Sequence, residues 1–274
     1  MYPCHLHSPL FRVQPSWSNV GQGYMNIDGG IVNKTFTGLA VIWLPFFLLA
    51  HLIALITGLP ADGYSLVYQY AIAFSTLFYL WAGCRVLFNL LRKLGASINT
   101  ASLITFSIAL GTNIIFYAVI EPSMTHIYSF ALITFFLWTG YHFFETRKLH
   151  WLLALTSIYS LILLIRPTNG LILILLPFIS GSYRELKSTF IFIVRKKGWL
   201  ILVLLVFTLI VCIQPLFYYI QSGKLWIYSY GNEKMQFLDP HFFSILFSYN
   251  RGWFVYTPLA FLSMAGFAGL YRIN

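Results

Sequence analysis

The sequence predicts an all-α polytopic transmembrane bundle of about seven to eight apolar helices, and three observations carry that prediction. Apolar stretches of about twenty residues recur from Phe36 to Tyr271, and a helix of that length crosses the ~30 Å hydrocarbon core of a bilayer. Hydrophobic residues make up 59% of the 274 positions and charged residues only 9%, with a mean hydropathy of +0.76. One soluble core could not hide that much apolar surface. Finally, the polar gaps between the stretches alternate between basic clusters and small acidic motifs, as loops on opposite faces of a membrane do.

Residues 1–35 are polar and rich in Gly, Pro, Ser and Asn, which reads as a loop with a turn at Asp28-Gly29-Gly30. Apolar runs follow at 36–57, 64–91, 101–120, 125–145, 151–165, 170–180, 199–220 and 253–271. The run at 170–180 is short and contains Pro177, so it is expected to tilt, kink or cross only in part. The chain therefore divides into an outer-loop remnant at 1–35 and one multi-span membrane domain at 36–274, with a long outer loop at 221–252.

Lys and Arg favour the cytoplasmic side of a membrane. Arg92-Lys93, Arg147-Lys148 and the group Arg184, Lys187, Arg195, Lys196, Lys197 mark the cytoplasmic gaps. Between them fall Pro60-Ala61-Asp62-Gly63, Glu121-Pro122 and the gap 221–252, which become the outer ones. The run 36–57 escapes this rule because Arg12 and Lys34 are too few to orient it. It either crosses, or breaks at Pro45 into two short helices along the outer interface, leaving 1–35 outside.

The net charge of +10 would point to nucleic acid in a soluble chain, but the basic residues sit in short gaps beside apolar runs, so no nucleic-acid partner is called for. Cys4, Cys84 and Cys212 are unpatterned and mostly inside apolar runs, which supports neither a disulfide framework nor a zinc site. Met1 to Arg12 lack a charged region followed by an apolar one and do not read as a signal peptide. Aromatic residues at the ends of runs, such as Trp43, Tyr64, Trp151, Trp199 and Trp253, are interfacial anchors.

Four polar clusters fall on the expected outer side, and ionisable groups there are costly unless paired or wet. Asp28 lies near Lys34. Glu121 and His126 stand five residues apart around a helix-starting proline, a spacing that lets a carboxylate and an imidazole share one acid/base or metal site. The alternative is a helix start capped by Ser123 or Thr125, with His126 hydrogen-bonded at the interface. Arg166, before Pro167-Thr168-Asn169, is placed to clamp a phosphate bidentately or to snorkel to a lipid headgroup, and Arg251 presents the same choice. The gap 221–252 holds Tyr230 and Glu233, read as an acceptor-binding loop or as a solvated connection. Asn113 fits an interhelical hydrogen bond.

The strings that carry these clusters resemble a known family. Asp28-Gly29-Gly30-Ile31-Val32-Asn33-Lys34, Leu44-Pro45-Phe46-Phe47-Leu48-Leu49-Ala50-His51 and Pro60-Ala61-Asp62-Gly63-Tyr64-Ser65 are similar to the end of the first outer loop and the following segment in bacterial membrane glycosyltransferases of the GT-C superfamily. These enzymes are related to the protein O-mannosyltransferases. The likeness continues through Gly111-Thr112-Asn113, Glu121-Pro122-Ser123-Met124-Thr125-His126, Arg166-Pro167-Thr168-Asn169 and Asn250-Arg251-Gly252-Trp253-Phe254-Val255-Tyr256-Thr257-Pro258.

The resemblance implies a multi-pass enzyme of the bacterial cytoplasmic membrane that moves a sugar from a polyprenyl-phosphate carrier to a glycan, lipid or protein acceptor on the outer face. It makes 36–57 the Pro45-broken interfacial pair. On this reading Asp28, Glu121 and His126 are the catalytic candidates, Lys34, Arg166 and Arg251 bind the donor phosphate, and Tyr230 and Glu233 face the acceptor. No metal ligand is assigned and no cofactor is required, although a divalent cation is compatible with the reaction. Family members carry their base in an acidic motif after a first span, and here no span precedes 1–35. The chain is accordingly expected to be a fragment lacking that span, with little transferase activity alone. The competing function is a multi-pass transporter or flippase, which would need polar groups near the midplane; Asn113 and Arg85 are the candidates.

Overall fold

A backbone surrounded by apolar side chains has to satisfy its own hydrogen bonds, and helices do this segment by segment. The computed structural model describes residues 24–27, 30–33, 35–227, 241–249 and 252–271, and most of them are helical. A two-stranded antiparallel hairpin comes first, β1 (Tyr24–Ile27) paired with β2 (Gly30–Asn33), Tyr24 opposite Asn33 and Ile27 opposite Gly30. The expected loop thus contains a short hairpin, while the chain remains mostly helical. Val32 packs with Tyr218 and Ile227.

Helix α1 (Gly38–Thr57) runs uninterrupted through Pro45, which corrects the expected break into two short helices. α2 (Leu66–Lys93), α3 (Ile98–Gly111) and α4 (Ile114–Val119) follow, and the run 101–120 is therefore split at Thr112-Asn113. α5 (Thr125–Thr146) and α6 (Leu149–Ile165) match their runs closely. The Pro177 run becomes a 3-10 stretch (Pro167–Leu175) and a short α7 (Leu176–Ile179). Then come α8 (Tyr183–Arg195), α9 (Lys197–Val211), α10 (Ile213–Ser222), α11 (Phe242–Phe247), α12 (Trp253–Tyr256) and α13 (Pro258–Tyr271).

Among the described residues four helical stretches are long and apolar enough to cross a bilayer: α1, α2, α5 and the continuous pair Lys197–Ser222. Their outer faces expose Leu48, Leu52, Ile56, Ile201, Leu204 and Leu209. A soluble chain would expose such contiguous apolar surface only at a partner interface, so a lipid environment accounts for it and points to a membrane protein.

α5 is the centre of the bundle. Half of its apolar window is buried, against 6% for Lys197–Ser222, because Ile127, Tyr128, Ala131, Leu132, Phe136 and Phe143 all meet neighbouring helices. α6 returns antiparallel beside it: His142 stacks on Trp151 near one end, and Asn169, just past α6, bonds Ser129 near the other. α2 approaches α5 closely at Gly83, where an added Cβ would press on Phe130 and Ala131. Gly38 lets α1 touch the last turn of α6, since a Cβ there would collide with the Leu164 carbonyl and the Ile165 amide. The bundle consequently has two distinct ends, one marked by Arg147 bonded to Glu185 at 3.0 Å, the other by the turn before α5 and the end of α6.

Candidate functional site

The turn between α4 and α5 carries Glu121, and its shape is set from below. Thr76 Oγ1 on α2 donates to the Pro122 carbonyl at 2.5 Å, and Tyr128 Oη lies 2.8 Å from both Thr76 Oγ1 and Ser75 Oγ. Three hydroxyl protons suffice if Ser75 donates to Tyr128, Tyr128 to Thr76 and Thr76 to the carbonyl. Ser75, Thr76 and Tyr128 are all fully buried. A buried network of this kind holds the turn in place, because moving it away would leave the Pro122 carbonyl without its hydroxyl donors. Trp43 of α1 packs its indole edge-on against Tyr128.

His126 opens α5 two residues before that tyrosine. Its ring stacks on Tyr117 of α4 with centroids 3.8 Å apart and planes at 23°. The N-cap of α5 is Met124 and no side chain caps it, which corrects the expectation of a Ser123 or Thr125 cap. His126 is partly buried.

Arg166 leaves the end of α6 in an extended conformation, its amide bonded to Ile162 and its carbonyl accepting from Asn169. Its side chain is exposed, while Glu121 is partly buried. Asn169 then ties the 3-10 stretch to Ser129 of α5 at 3.0 Å, so the arginine sits on a fixed shoulder. The first turn of α1 completes this end. The Thr37 amide and hydroxyl both donate to Gln214 Oε1, at 2.7 and 2.9 Å, which joins α1 to α10. The structure thus brings Glu121, His126 and Arg166 to one end of the bundle. Asp28, Lys34, Tyr230, Glu233 and Arg251 lie outside the described residues.

A cavity of about 410 Å³ opens between α1 and α2, lined by Trp43, Phe47, Asp62, Tyr64, Tyr68 and Gln69 among others. Glu121, His126 and Arg166 do not line it. Asp62 Oδ1 accepts from the Tyr64 and Ser65 amides, both at 2.8 Å, and these bonds hold its carboxyl below the usual carboxylate range. Sequence reasoning gave Asp62 a topological role only; an aspartate three residues ahead of the Ser65 N-cap of α2 was the signal for a structured turn. The Ser75-Thr76 pair was missed too, although two adjacent hydroxyls in an apolar run announce a buried polar contact.

Asn113 and Arg85 are both exposed. Among the described residues no group of three or more His, Cys, Asp or Glu side chains is arranged to hold a metal ion. No family model, curated protein or solved structure matches the chain.

Proposed function

We propose that this chain is a GT-C-type membrane glycosyltransferase with about seven to eight membrane helices, acting at the outer face of a bacterial cytoplasmic membrane. It takes a sugar from a polyprenyl-phosphate donor and passes it to an acceptor hydroxyl. The observation that supports this reading is the placement of a carboxylate, an imidazole and a guanidinium, Glu121, His126 and Arg166, at the same end of an apolar bundle.

In the proposed reaction the acceptor oxygen bonds to the anomeric carbon as the bond from that carbon to the phosphate oxygen breaks. The acceptor proton passes to Glu121 or, through it, to His126, and the electron pair leaves on the polyprenyl phosphate. Arg166 stabilises the charge that develops there with two parallel N–H bonds. Lys34 and Arg251 are proposed as further phosphate contacts, Asp28 as an alternative base, and Tyr230 with Glu233 as acceptor contacts. The exposure of Asn113 and Arg85 gives the transporter reading no comparable support.

Donor recognition tests the proposal. Protein reconstituted in vesicles should bind a polyprenyl phosphate saturably and prefer it to the matching polyprenol. Equal binding of the two lipids would remove the phosphate site and the proposal with it.

A further inference from the structure

Helix α8 (Tyr183–Arg195) lies at the Arg147 end of the bundle, remote from the proposed donor site. Ser182 caps it by accepting from the Glu185 amide at 3.2 Å. Arg147 staples it to the α5–α6 turn, with Nη2 3.0 Å from both Glu185 Oε2 and Ser188 Oγ. One stripe faces the bundle: Thr189 is buried, and Ile193 packs against the main core together with Trp199.

The adjoining stripe is apolar and exposed. Tyr183, Phe190, Ile191 and Val194 recur at helical spacing on one face, with Tyr183 and Phe190 exposed to 74% and 67%. Arg184, Lys187 and Arg195 lie among or beside them and form no ion pair among the described residues. Two other cations of this end, Arg147 and Lys196, lie over aromatic rings. Lys196 sits 4.7 Å from the Phe192 ring centroid and 4.3 Å from that of Trp199, and Arg147 lies 5.6 Å from Phe192. One residue, Lys196, separates this helix from the 26-residue stretch, starting at Lys197, that is long and apolar enough to cross a bilayer. An amphipathic helix of 13 residues at the foot of such a stretch is poised where headgroups meet acyl chains.

We propose that the exposed face of α8 lies in the membrane interface and holds anionic phospholipid headgroups through Arg184, Lys187 and Arg195. The apolar residues insert beside the acyl chains, while the long basic side chains reach back to the phosphates. Charge selects the occupant, because three cations with no ion-pair partner among the described residues, beside exposed aromatic and aliphatic groups, match an anionic lipid better than a neutral one. This inference rests on the membrane reading of the chain and not on the transfer chemistry.

The test uses the full chain in vesicles of phosphatidylcholine with and without phosphatidylglycerol. A spin label placed at Phe190 in a cysteine-free background should be relaxed by dissolved oxygen and shielded from a water-soluble nickel chelate. The wild-type protein should prefer spin-labelled phosphatidylglycerol to phosphatidylcholine. At about fivefold per basic residue near an anionic surface, R184Q/K187Q/R195Q should lower that preference by tenfold or more. A label open to the nickel chelate would place the face in water and overturn the proposal. A label shielded from both reagents would show that protein, such as a second copy of the chain, covers the face. Absence of the preference in the wild type, or its persistence in the triple variant, would also overturn it. None of these outcomes bears on polyprenyl-phosphate binding at Arg166, so the two readings fail separately.

Discussion

Thr76→Val keeps the side-chain shape and deletes one hydroxyl, and that hydroxyl is the link between α2 and the turn carrying Glu121. It donates to the Pro122 carbonyl at 2.5 Å and stands 2.8 Å from Tyr128 Oη. Leaving a buried polar group unsatisfied costs about 1–3 kcal/mol. Tyr128 Oη already lies 3.5 Å from the same carbonyl and can partly replace the lost donor, so the expected cost is about 1–2 kcal/mol. Ser75→Ala removes a hydroxyl from the same network, but Ser75 Oγ can also donate to Ile72 of its own helix at 2.7 Å. Its loss should cost only ~0.5–1 kcal/mol. Unfolding midpoints in mixed micelles measure both variants, and amide exchange at Ser123–His126 should quicken in Thr76→Val alone. If Ser75→Ala proves the more damaging, or exchange at the turn does not change, the network does not hold the turn.

Gly38→Ala should destabilise the bundle by roughly 1–3 kcal/mol through overpacking, because the new methyl meets the Leu164 and Ile165 backbone; an unaltered unfolding midpoint would show that α1 and α6 do not touch there. Asp62 has its folded pKa lowered by the Tyr64 and Ser65 amides, so its stabilising contribution is present above the ordinary carboxylate range and lost as pH falls through the lowered value. Proteolysis near residues 58–66 should therefore increase as the pH is taken below that range, and Asp62→Asn should be cut at the same rate across the titration. Arg147→Ala removes a bridge whose partners are 36% and 54% exposed, so the global effect should stay under ~1 kcal/mol while amide exchange rises within α8. Exchange confined elsewhere would mean that Arg147 does not staple that helix.

The elements that sequence placed best are those with one long apolar run and clear polar ends, such as α5 and α6. Where runs were interrupted, composition gave the wrong detail. Pro45 sits inside a continuous α1 because a proline in an apolar helix breaks it only if the freed carbonyl finds no other partner. The run at 101–120 carried no strong breaker, yet Thr112 and Asn113 divide it. Thr112 supplies the reason: its hydroxyl donates to the Ile108 carbonyl at 2.7 Å and accepts from the Ile114 amide, offering the backbone local alternatives. The proximity of Glu121 and His126 was legible from their spacing. That of Arg166 was legible only through the expected sidedness of its gap, while the hydroxyl network beneath them depended on the register of α2 against α5, which no local pattern encodes.

Wild type and Arg166→Ala should differ in binding of a polyprenyl phosphate, and agree in binding of the matching polyprenol, in the same vesicles. A charge-assisted contact to the phosphate is worth roughly 1.5–3 kcal/mol, so phosphate-lipid affinity should fall by about ten- to a hundredfold in Arg166→Ala while polyprenol affinity stays unchanged. Equal phosphate-lipid affinity in the two proteins would contradict the proposed contact.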